Sequence, residues 1–234
     1  MIRPVRERTI GVAFTNVPTK IGAKAWRDCL RLMTLQGNDV IGMCEILTKA
    51  QKRVLMAEAL DAGYGGYGWQ GPNPVLWDTR AWWFAVGGHY KLHGVGPQHR
   101  RWPGYNAARY MTAVALNPRD GGIGVTALCA HFAPRGRKVR TWWRKHVHKV
   151  ATVKLARKAY EQRDLGRIVV IMGDFNSATP PVIPGVHWVQ SGVDMIGILL
   201  PAGVTLDEAK RIVFRAPTDH KHGLRTDVRI AINL

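Results

Sequence analysis

The sequence has few cysteines, no long apolar run and no leader-like segment at its start. Its three cysteines, Cys29, Cys44 and Cys129, are odd in number and far apart, which excludes a disulfide framework and a paired-cysteine zinc site. No uninterrupted stretch of about 18 apolar residues is present, so we expect no membrane-spanning helix. The first residues, MIRPVRER, are followed by no apolar segment of the kind that a secretory signal needs. We therefore expect a cytoplasmic protein that does not enter a membrane.

Acidic residues are scarce relative to basic ones. The chain has 34 Lys and Arg against 16 Asp and Glu, a formal net charge of +18. This excess favours a polyanionic partner, either nucleic acid or an anionic membrane surface, but it does not identify a reaction. Hydrophobic residues make up 46% of the chain and exclude disorder as the main state. No repeat or linker divides the sequence, so we expect residues 1–234 to form a single domain.

Hydrophobic periodicity predicts strands and helices in alternation. The predicted strands are residues 9–16, 39–46, 75–77, 82–86, 111–116, 124–131, 167–172 and 226–234, and the predicted helices are residues 20–36, 49–62 and 138–163. Strands interspersed with helices in this way favour a two-sheet sandwich covered by helices.

Four carboxylates lie in or just beyond apolar, strand-like runs: Glu45, Asp174, Asp194 and Asp219. A buried ionised acid is unfavourable without partners, so each of these positions needs an explanation. If the strand ends converge, the acids form a site for a hard divalent cation such as Mg²⁺. The alternative is that each acid caps a turn or pairs with one of the many basic residues.

Two further features carry candidate chemistry. Asp174 and Asn176 stand two residues apart after a buried strand, where a carboxylate could activate water and an amide could donate to a phosphoryl oxygen. The alternative is a simple Asx turn. His131 ends a strand and His220 follows Asp219, so both are candidates for an acid, a base or a hydrogen-bond donor. The alternative is that both imidazoles are structural and satisfied by hydrogen bonds.

Six short motifs recur in a characteristic order. They are Thr15-Asn16, Cys44-Glu45, AHFAP at 130–134, GDFN at 173–176, GVDMI at 192–196 and TDH at 218–220. This order resembles that of the endonuclease/exonuclease/phosphatase superfamily, which has the deoxyribonuclease-I-like fold. The resemblance implies a four-layer α/β sandwich of two mixed β-sheets flanked by helices, a requirement for Mg²⁺ with Mn²⁺ as the alternative, and hydrolysis of phosphodiesters or phosphomonoesters.

The resemblance also implies roles for individual residues. By match to the family's motifs, Glu45 is the main metal ligand, and Asn16 and Asp219 lie close to the metal. Asp174 orients or activates the attacking water, and Asn176 donates a hydrogen bond to the phosphate. His220 is the acid or transition-state stabiliser and is held by Asp194, whereas His131 is the second histidine of the family. His222 is a weaker alternative to His220. Related nucleases support the second histidine with an acid before residue 78, where this chain has none, and Asn73 or Gln70 is the substitute that we consider.

Basic residues point to the substrate. Arg135, Arg137 and Lys138 follow His131, so we expect them to contact phosphates that flank the scissile one. The far end of the following helix is better explained as a solvated face. A basic and aromatic stretch at 99–110, which includes Arg109, could enter a groove or stack on bases.

Taken together, these features predict a Mg²⁺-dependent nuclease that hydrolyses phosphodiester bonds in nucleic acid, with DNA favoured over RNA and no obligate protein partner evident. Two alternatives stay open: a phosphatase or phosphodiesterase of a small phosphoester, and a catalytically weak nucleic-acid-binding protein on the same fold. The glycine-rich segment 63–68 matches a dinucleotide-binding pattern but follows a helix, so we interpret it as a turn that ends this helix.

Overall fold

The computed structural model describes residues 5–94, 96–97, 105–106, 108–133, 141–218, 220 and 222–233. The strands are β1 (Val5–Asn16), β2 (Val40–Cys44), β3 (Tyr64–Tyr67), β4 (Val75–Asp78), β5 (Trp82–His93), β6 (Gly96–Pro97), β7 (Tyr105–Asn106), β8 (Arg109–Pro118), β9 (Val125–His131), β10 (Ile168–Asp174), β11 (His187–Ser191), β12 (Asp194–Leu199), β13 (Val204–Arg215) and β14 (His222–Asn233). The helices are α1 (Gly22–Leu35), α2 (Lys49–Asp61) and α3 (Thr141–Asp164), with one 3-10 turn at Thr19–Ile21. In the described ranges, no helix combines the length and apolar character needed to cross a membrane.

Two six-stranded sheets form the centre of the structure. The first sheet has the order β13-β14-β1-β2-β4-β3, and the second has the order β11-β12-β10-β9-β8-β5. Each sheet is mixed, because β1 pairs with β2 in parallel and β9 pairs with β10 in parallel while their other neighbours are antiparallel. β6 and β7 form a separate two-stranded ribbon.

Apolar side chains fill three spaces between four layers. One cluster, with Phe14 and Val170, lies between the two sheets. A second, with Leu155 of α3 and Ile171, lies on the outer face of the second sheet, and a third, with Leu30 of α1, lies on the outer face of the first sheet. The order of layers is therefore α1 and α2, first sheet, second sheet, α3. The predicted four-layer α/β sandwich is confirmed.

Strand β10 shows why the sequence folds in this way. Its run of Ile, Val and Met is buried on both faces: Val170 packs between the sheets, and Val169 packs toward α3. A strand that is covered on both faces needs apolar residues at consecutive positions. Gly173 precedes the strand's last residue, and a side chain there would collide with the carbonyl oxygen of Ala130 on β9. This glycine therefore lets the two strands approach closely just before Asp174.

Some elements were not predicted. Strand β13 contains Asp207 to Arg211, a run of good helix formers, yet it is extended because it pairs with β14 over its length. Gly63 has a φ of 80° after α2 and begins the expected turn, but Tyr64–Tyr67 continues as the edge strand β3. The expected turn that ends α2 is thus present at Gly63, and the chain then continues as β3 because β4 offers a pairing partner.

Candidate active site

Three neighbouring strands bring three of the predicted residues side by side. His131 and Asp174 are register partners at the ends of β9 and β10, and Asp174 is in turn the register partner of Asp194 at the start of β12. Neighbouring strands lie about 4.8 Å apart, so the backbone alone places these side chains at one edge of the sandwich. We call this edge the site edge.

The first sheet contributes to the same edge. Asn16 and Cys44 end β1 and β2 as register partners, so Glu45 follows directly beside Asn16. The Asn16 amide donates to Asp174 Oδ2 over 3.3 Å and joins the two sheets. The Cys44 thiol is fully buried and donates to the Ala130 carbonyl oxygen, as expected for a core residue.

Asp174 is the centre of the cluster. Its Oδ1 accepts the backbone N–H of Asn176 at 2.8 Å, whereas Nε2 of His131 and Nε2 of His220 lie 3.7 and 3.9 Å from Oδ2. Both separations exceed a hydrogen bond, so neither imidazole is bonded directly to the carboxylate and each Nε2 stays available to another partner. Burial, and then the charge of Asp194, raise the pKa of Asp174 to about 6. A carboxylate with this pKa is suited to accept a proton near neutral pH.

Two residues of the site edge have an unusual backbone conformation. Glu45 has a φ of 65° and Asn176 a φ of 49°, and they are the non-glycine residues with positive φ in the described part of the chain. Such conformations are uncommon outside glycine and cluster at functional sites. The hydrogen bond from Asn176 to Asp174 Oδ1 is the Asx turn that we considered, and the Asn176 side chain donates to the Phe132 carbonyl oxygen over 3.0 Å. The turn thus positions the amide rather than excluding a role for it.

His220 is held by a carboxylate. Its Nδ1–H donates to Asp194 Oδ2 over 2.9 Å, and Asp194 is completely buried. This hydrogen bond, together with the charges of Asp194 and Asp174, raises the pKa of His220 to about 9. Nε2 of His222 is 3.6 Å from the same oxygen, too far for a hydrogen bond. Of the two imidazoles, His220 is therefore the one that is hydrogen-bonded to Asp194.

His131 has a different environment. Its side chain is buried, and Nδ1 lies 3.2 Å from a guanidinium nitrogen, Nη1, of Arg109. Burial, followed by the charge of Arg109, lowers the pKa of His131 to about 3. The Asn73 amide donates to the Tyr110 carbonyl oxygen over 2.8 Å, so support of the second histidine by Asn73 or Gln70 stays a prediction. The group that contacts Nδ1 of His131 is therefore a cation.

Oxygen atoms at the site edge could hold a metal ion. Asp174, Asp194 and His220 each offer a ligand atom, and these atoms lie within 4.8 Å of one another. However, the Asp194 carboxylate already accepts a hydrogen bond from His220, which favours an alternative position beside Asn16 and Glu45. Asn16 Oδ1 is buried and has no hydrogen-bond partner within the described ranges. Glu45 is close enough to raise the pKa of both Asp174 and His220. A buried amide oxygen beside a carboxylate fits a hard cation such as Mg²⁺.

A basic cleft begins next to the site edge. It lies between β5 and α3, has a volume of about 180 Å³, and is lined by Lys91, Lys154, Arg157 and Lys158 together with Tyr90 and Glu161. Lys91 pairs in register with Tyr110, the neighbour of Arg109, so the cleft starts one residue along the sheet from the contact with His131. The sequence alone does not predict this cleft, because its cations come from two distant segments.

Several predicted residues cannot be placed at the site. Asp219, Arg135, Arg137 and Lys138 lie outside the described residues, so their roles stay predictions. Arg109 does lie at the site edge, where it contacts His131. Its predicted contact with substrate is untested by this geometry.

Comparison with solved structures identifies the fold. An endonuclease/exonuclease/phosphatase family protein from Bacteroides thetaiotaomicron superposes with a TM-score of 0.71 at 14% identity, over 98% of this chain and all of that one. A mannosyl-6-phosphatase from the same species gives 0.68 at 13% identity, over 94% of this chain and 99% of that one. D. rerio TDP2 complexed with a single-strand DNA product superposes with a TM-score of 0.69 at 14% identity, over 94% of this chain and 98% of that one.

At these identities the comparison establishes the fold and leaves the activity open. No family model and no curated protein sequence matches the chain. The fold is that of the endonuclease/exonuclease/phosphatase proteins, and the resemblance predicted from the ordered motifs is confirmed at this level.

Proposed function

We propose that this protein is a divalent-cation-dependent phosphodiesterase that hydrolyses nucleic acid, with DNA favoured over RNA. The observation that carries the proposal is the arrangement around Asp174 Oδ2. The Asn16 amide donates to this oxygen, and the two imidazole nitrogens of His131 and His220 face it across gaps of 3.7 and 3.9 Å. A buried carboxylate flanked by two imidazole nitrogens places acceptor and donor groups side by side, which is suited to positioning a water molecule against a phosphoryl group.

In the proposed reaction Asp174 accepts one proton and His220 donates another. Asp174 accepts a proton from the attacking water while the water oxygen forms a bond to phosphorus. The bond between phosphorus and the leaving oxygen breaks, and the leaving oxygen takes the proton of the His220 imidazolium. The carboxylate of Asp194 holds His220 in the orientation and charge state that this transfer requires.

A cation completes the charge balance. The residues that would hold it are Asn16 and Glu45, with Asp219 assigned by the resemblance alone. When bound, a divalent cation neutralises negative charge that develops on the phosphoryl oxygens. The oxygen-rich ligand set favours Mg²⁺, with Mn²⁺ as the alternative.

Positive charge supports a polymeric substrate. The net charge of +18 favours polyanions in general, and the basic cleft between β5 and α3 supplies four cations against the single carboxylate of Glu161 close to the site edge. The likeness to TDP2, which was solved with a single-strand DNA product, favours DNA. Backbone contacts of this kind give affinity without sequence specificity.

A second candidate is hydrolysis of a small phosphoester. The observation that favours it is the likeness to a mannosyl-6-phosphatase, which has a similar TM-score over a similar share of the chain. A small substrate would leave the basic cleft empty. Turnover would then be independent of polymer length and only weakly dependent on salt.

The test uses the full chain and two matched variants. Wild type, Asp174→Asn and Asp164→Asn are incubated with supercoiled plasmid, linear duplex, single-stranded DNA, RNA and a mannose 6-phosphate substrate, with Mg²⁺ or EDTA. Asp164 is exposed and lies at the far end of α3, so Asp164→Asn makes the same chemical change without removing a carboxylate from the site edge.

We expect wild type and Asp164→Asn to cleave DNA with Mg²⁺ only, and Asp174→Asn to be slower by about 10³-fold. Cleavage of the sugar phosphate alone would establish the second candidate. Tight, salt-dependent binding without any turnover would replace both candidates with a nucleic-acid-binding protein.

A further inference from the structure

Arg109 occupies an unexpected position for a residue of a basic, substrate-facing stretch. It is the first residue of β8, and its guanidinium turns toward the end of β9, where Nη1 lies 3.2 Å from Nδ1 of His131. No described carboxylate lies within 4.0 Å of this guanidinium, although Glu45 and Asp174 are close enough to affect its pKa. The nearest polar partner that the described chain offers Arg109 is therefore an imidazole nitrogen.

The chemistry of guanidinium fixes the direction of this hydrogen bond. Arginine has five N–H donors and no acceptor, and it stays protonated in proteins. Nδ1 of His131 must therefore accept, so it carries no proton. A neutral imidazole keeps one proton, which then has to be on Nε2. This is the nitrogen that faces Asp174 Oδ2 at 3.7 Å.

The surroundings of His131 disfavour its cationic form. A second positive charge would lie in a buried position beside the Arg109 guanidinium and in the field of His220. Asp174 is the described carboxylate that faces Nε2, and the observed gap is too long for a charge-stabilising hydrogen bond. Burial and two neighbouring cations thus act in the same direction.

We propose that Arg109 is a positioning residue that holds His131 as the neutral Nε2–H tautomer, so that His131 donates a hydrogen bond to a phosphoryl oxygen and neither gives nor takes a proton in the reaction. The part that concerns the phosphoryl oxygen rests on the proposed function. The part that concerns the tautomer depends only on Arg109 and His131.

The tautomer is measured directly by long-range ¹H–¹⁵N NMR of the ¹⁵N-labelled full chain between pH 5 and 9. The His131 signals are assigned by their loss in His131→Gln. We expect an acceptor-type Nδ1 and a protonated Nε2 throughout this range. A protonated Nδ1 at neutral pH, or a His131 that titrates between pH 5 and 8, would overturn the proposal in the wild-type protein alone.

Two variants of Arg109 separate positioning from simple packing. Arg109→Met keeps the length of the side chain but removes every donor, so we expect mixed tautomers and a His131 pKa that moves toward the ordinary value of about 6.5. Arg109→Lys keeps a donor and a charge, so we expect it to restore the Nε2–H signal in part. Arg80→Met, at an exposed position just after β4, should leave the His131 signals unchanged.

Activity on a single-stranded oligonucleotide gives the second readout. Arg109→Met should lower kcat by about 10- to 100-fold, with partial recovery in Arg109→Lys. If Arg109→Met lowers activity but leaves the tautomer of His131 unchanged, the positioning role is wrong. If the tautomer behaves as expected and no phosphodiester is cleaved by wild type, the proposed function fails and the positioning role of Arg109 stands.

Discussion

The two imidazoles at the site edge differ in the charge of the group that holds them. His220 donates from Nδ1 to the buried carboxylate of Asp194, whereas Nδ1 of His131 faces the guanidinium of Arg109. The pKa of His220 is raised to about 9, and the pKa of His131 is lowered to about 3. Both Nε2 atoms nevertheless approach the same oxygen of Asp174.

This difference shows how one residue type supplies two functions in one site. At neutral pH His220 is protonated and has a proton to give, while His131 is neutral and offers a fixed N–H group. Residue type alone does not distinguish them: His131 ends β9, and His220 lies just before β14. The partner of Nδ1 decides the role, and three measurements can break or sharpen the contrast.

The largest effect is expected from Asp194→Asn, which removes the charge that supports His220. Without it, the pKa of His220 should fall from about 9 toward the ordinary value of about 6.5. The cleavage rate for an oligonucleotide at pH 8 should drop by about 10²- to 10⁴-fold. The decline of activity at high pH should also begin at least two pH units lower. An unchanged alkaline decline would show that Asp194 does not control His220, and Asp164→Asn serves as the control.

A smaller effect is expected from Glu45→Gln, because excess cation can compensate for a weakened ligand. The charge of Glu45 also contributes to the raised pKa of His220. We expect the Mg²⁺ concentration for half-maximal rate to rise by about 10- to 100-fold, with most of the rate recovered at saturation. Glu208→Gln, which changes a surface ion pair with Arg229 of β14, should leave the Mg²⁺ titration unchanged. An unaltered titration in Glu45→Gln would remove Glu45 from the cation site.

The smallest effect is expected from Lys154→Gln. Lys154 lines the basic cleft between β5 and α3, and Lys91 of this cleft pairs in register with Tyr110, the neighbour of Arg109. Binding of single-stranded DNA in EDTA should weaken by a few fold, and the slope of log affinity against log salt should decrease by about 1. Lys24→Gln on α1, whose side chain is 91% exposed, makes the same change in charge far from the site and should have little effect. Equal losses in both variants would mean that net charge, rather than the cleft, attracts the polymer.

The convergence of acids and amides could be predicted from the sequence because strand ends carry its signal. Asp174 follows a run that is apolar at every position, which marks a strand buried on both faces, and a carboxylate in such a place needs a purpose. Glu45 and Asp194 are recognisable for the same reason, whereas Asn16 was implied by the resemblance alone. The pattern of apolar residues therefore predicts that carboxylates meet at the ends of these strands.

The partner of His131 could not be predicted in this way. Arg109 stands in a basic and aromatic stretch, where it resembles a residue that contacts substrate. Its contact with His131 depends on the pairing of β8 with β9, in which Met111 is the register partner of Ala130. Register between separate strands is set by packing across the sheet and is weakly encoded in any single segment. Strand β13 was missed for a related reason, since its pairing with β14 overrides its local preference for helix.

The most direct test of the division between the two imidazoles is the pH dependence of kcat/KM for a single-stranded oligonucleotide at saturating Mg²⁺, in wild type, His131→Gln and His220→Gln. Activity requires ionised Asp174 and protonated His220. The kcat/KM of the wild-type protein should therefore increase with pH up to about pH 6 and decrease above about pH 9. A bound cation would lower the pKa of Asp174 and so move the acidic side of the pH profile to lower pH. His131→Gln should be slower but keep the alkaline limb, whereas His220→Gln should lose it. An alkaline limb that persists without His220, or disappears without His131, would contradict the account.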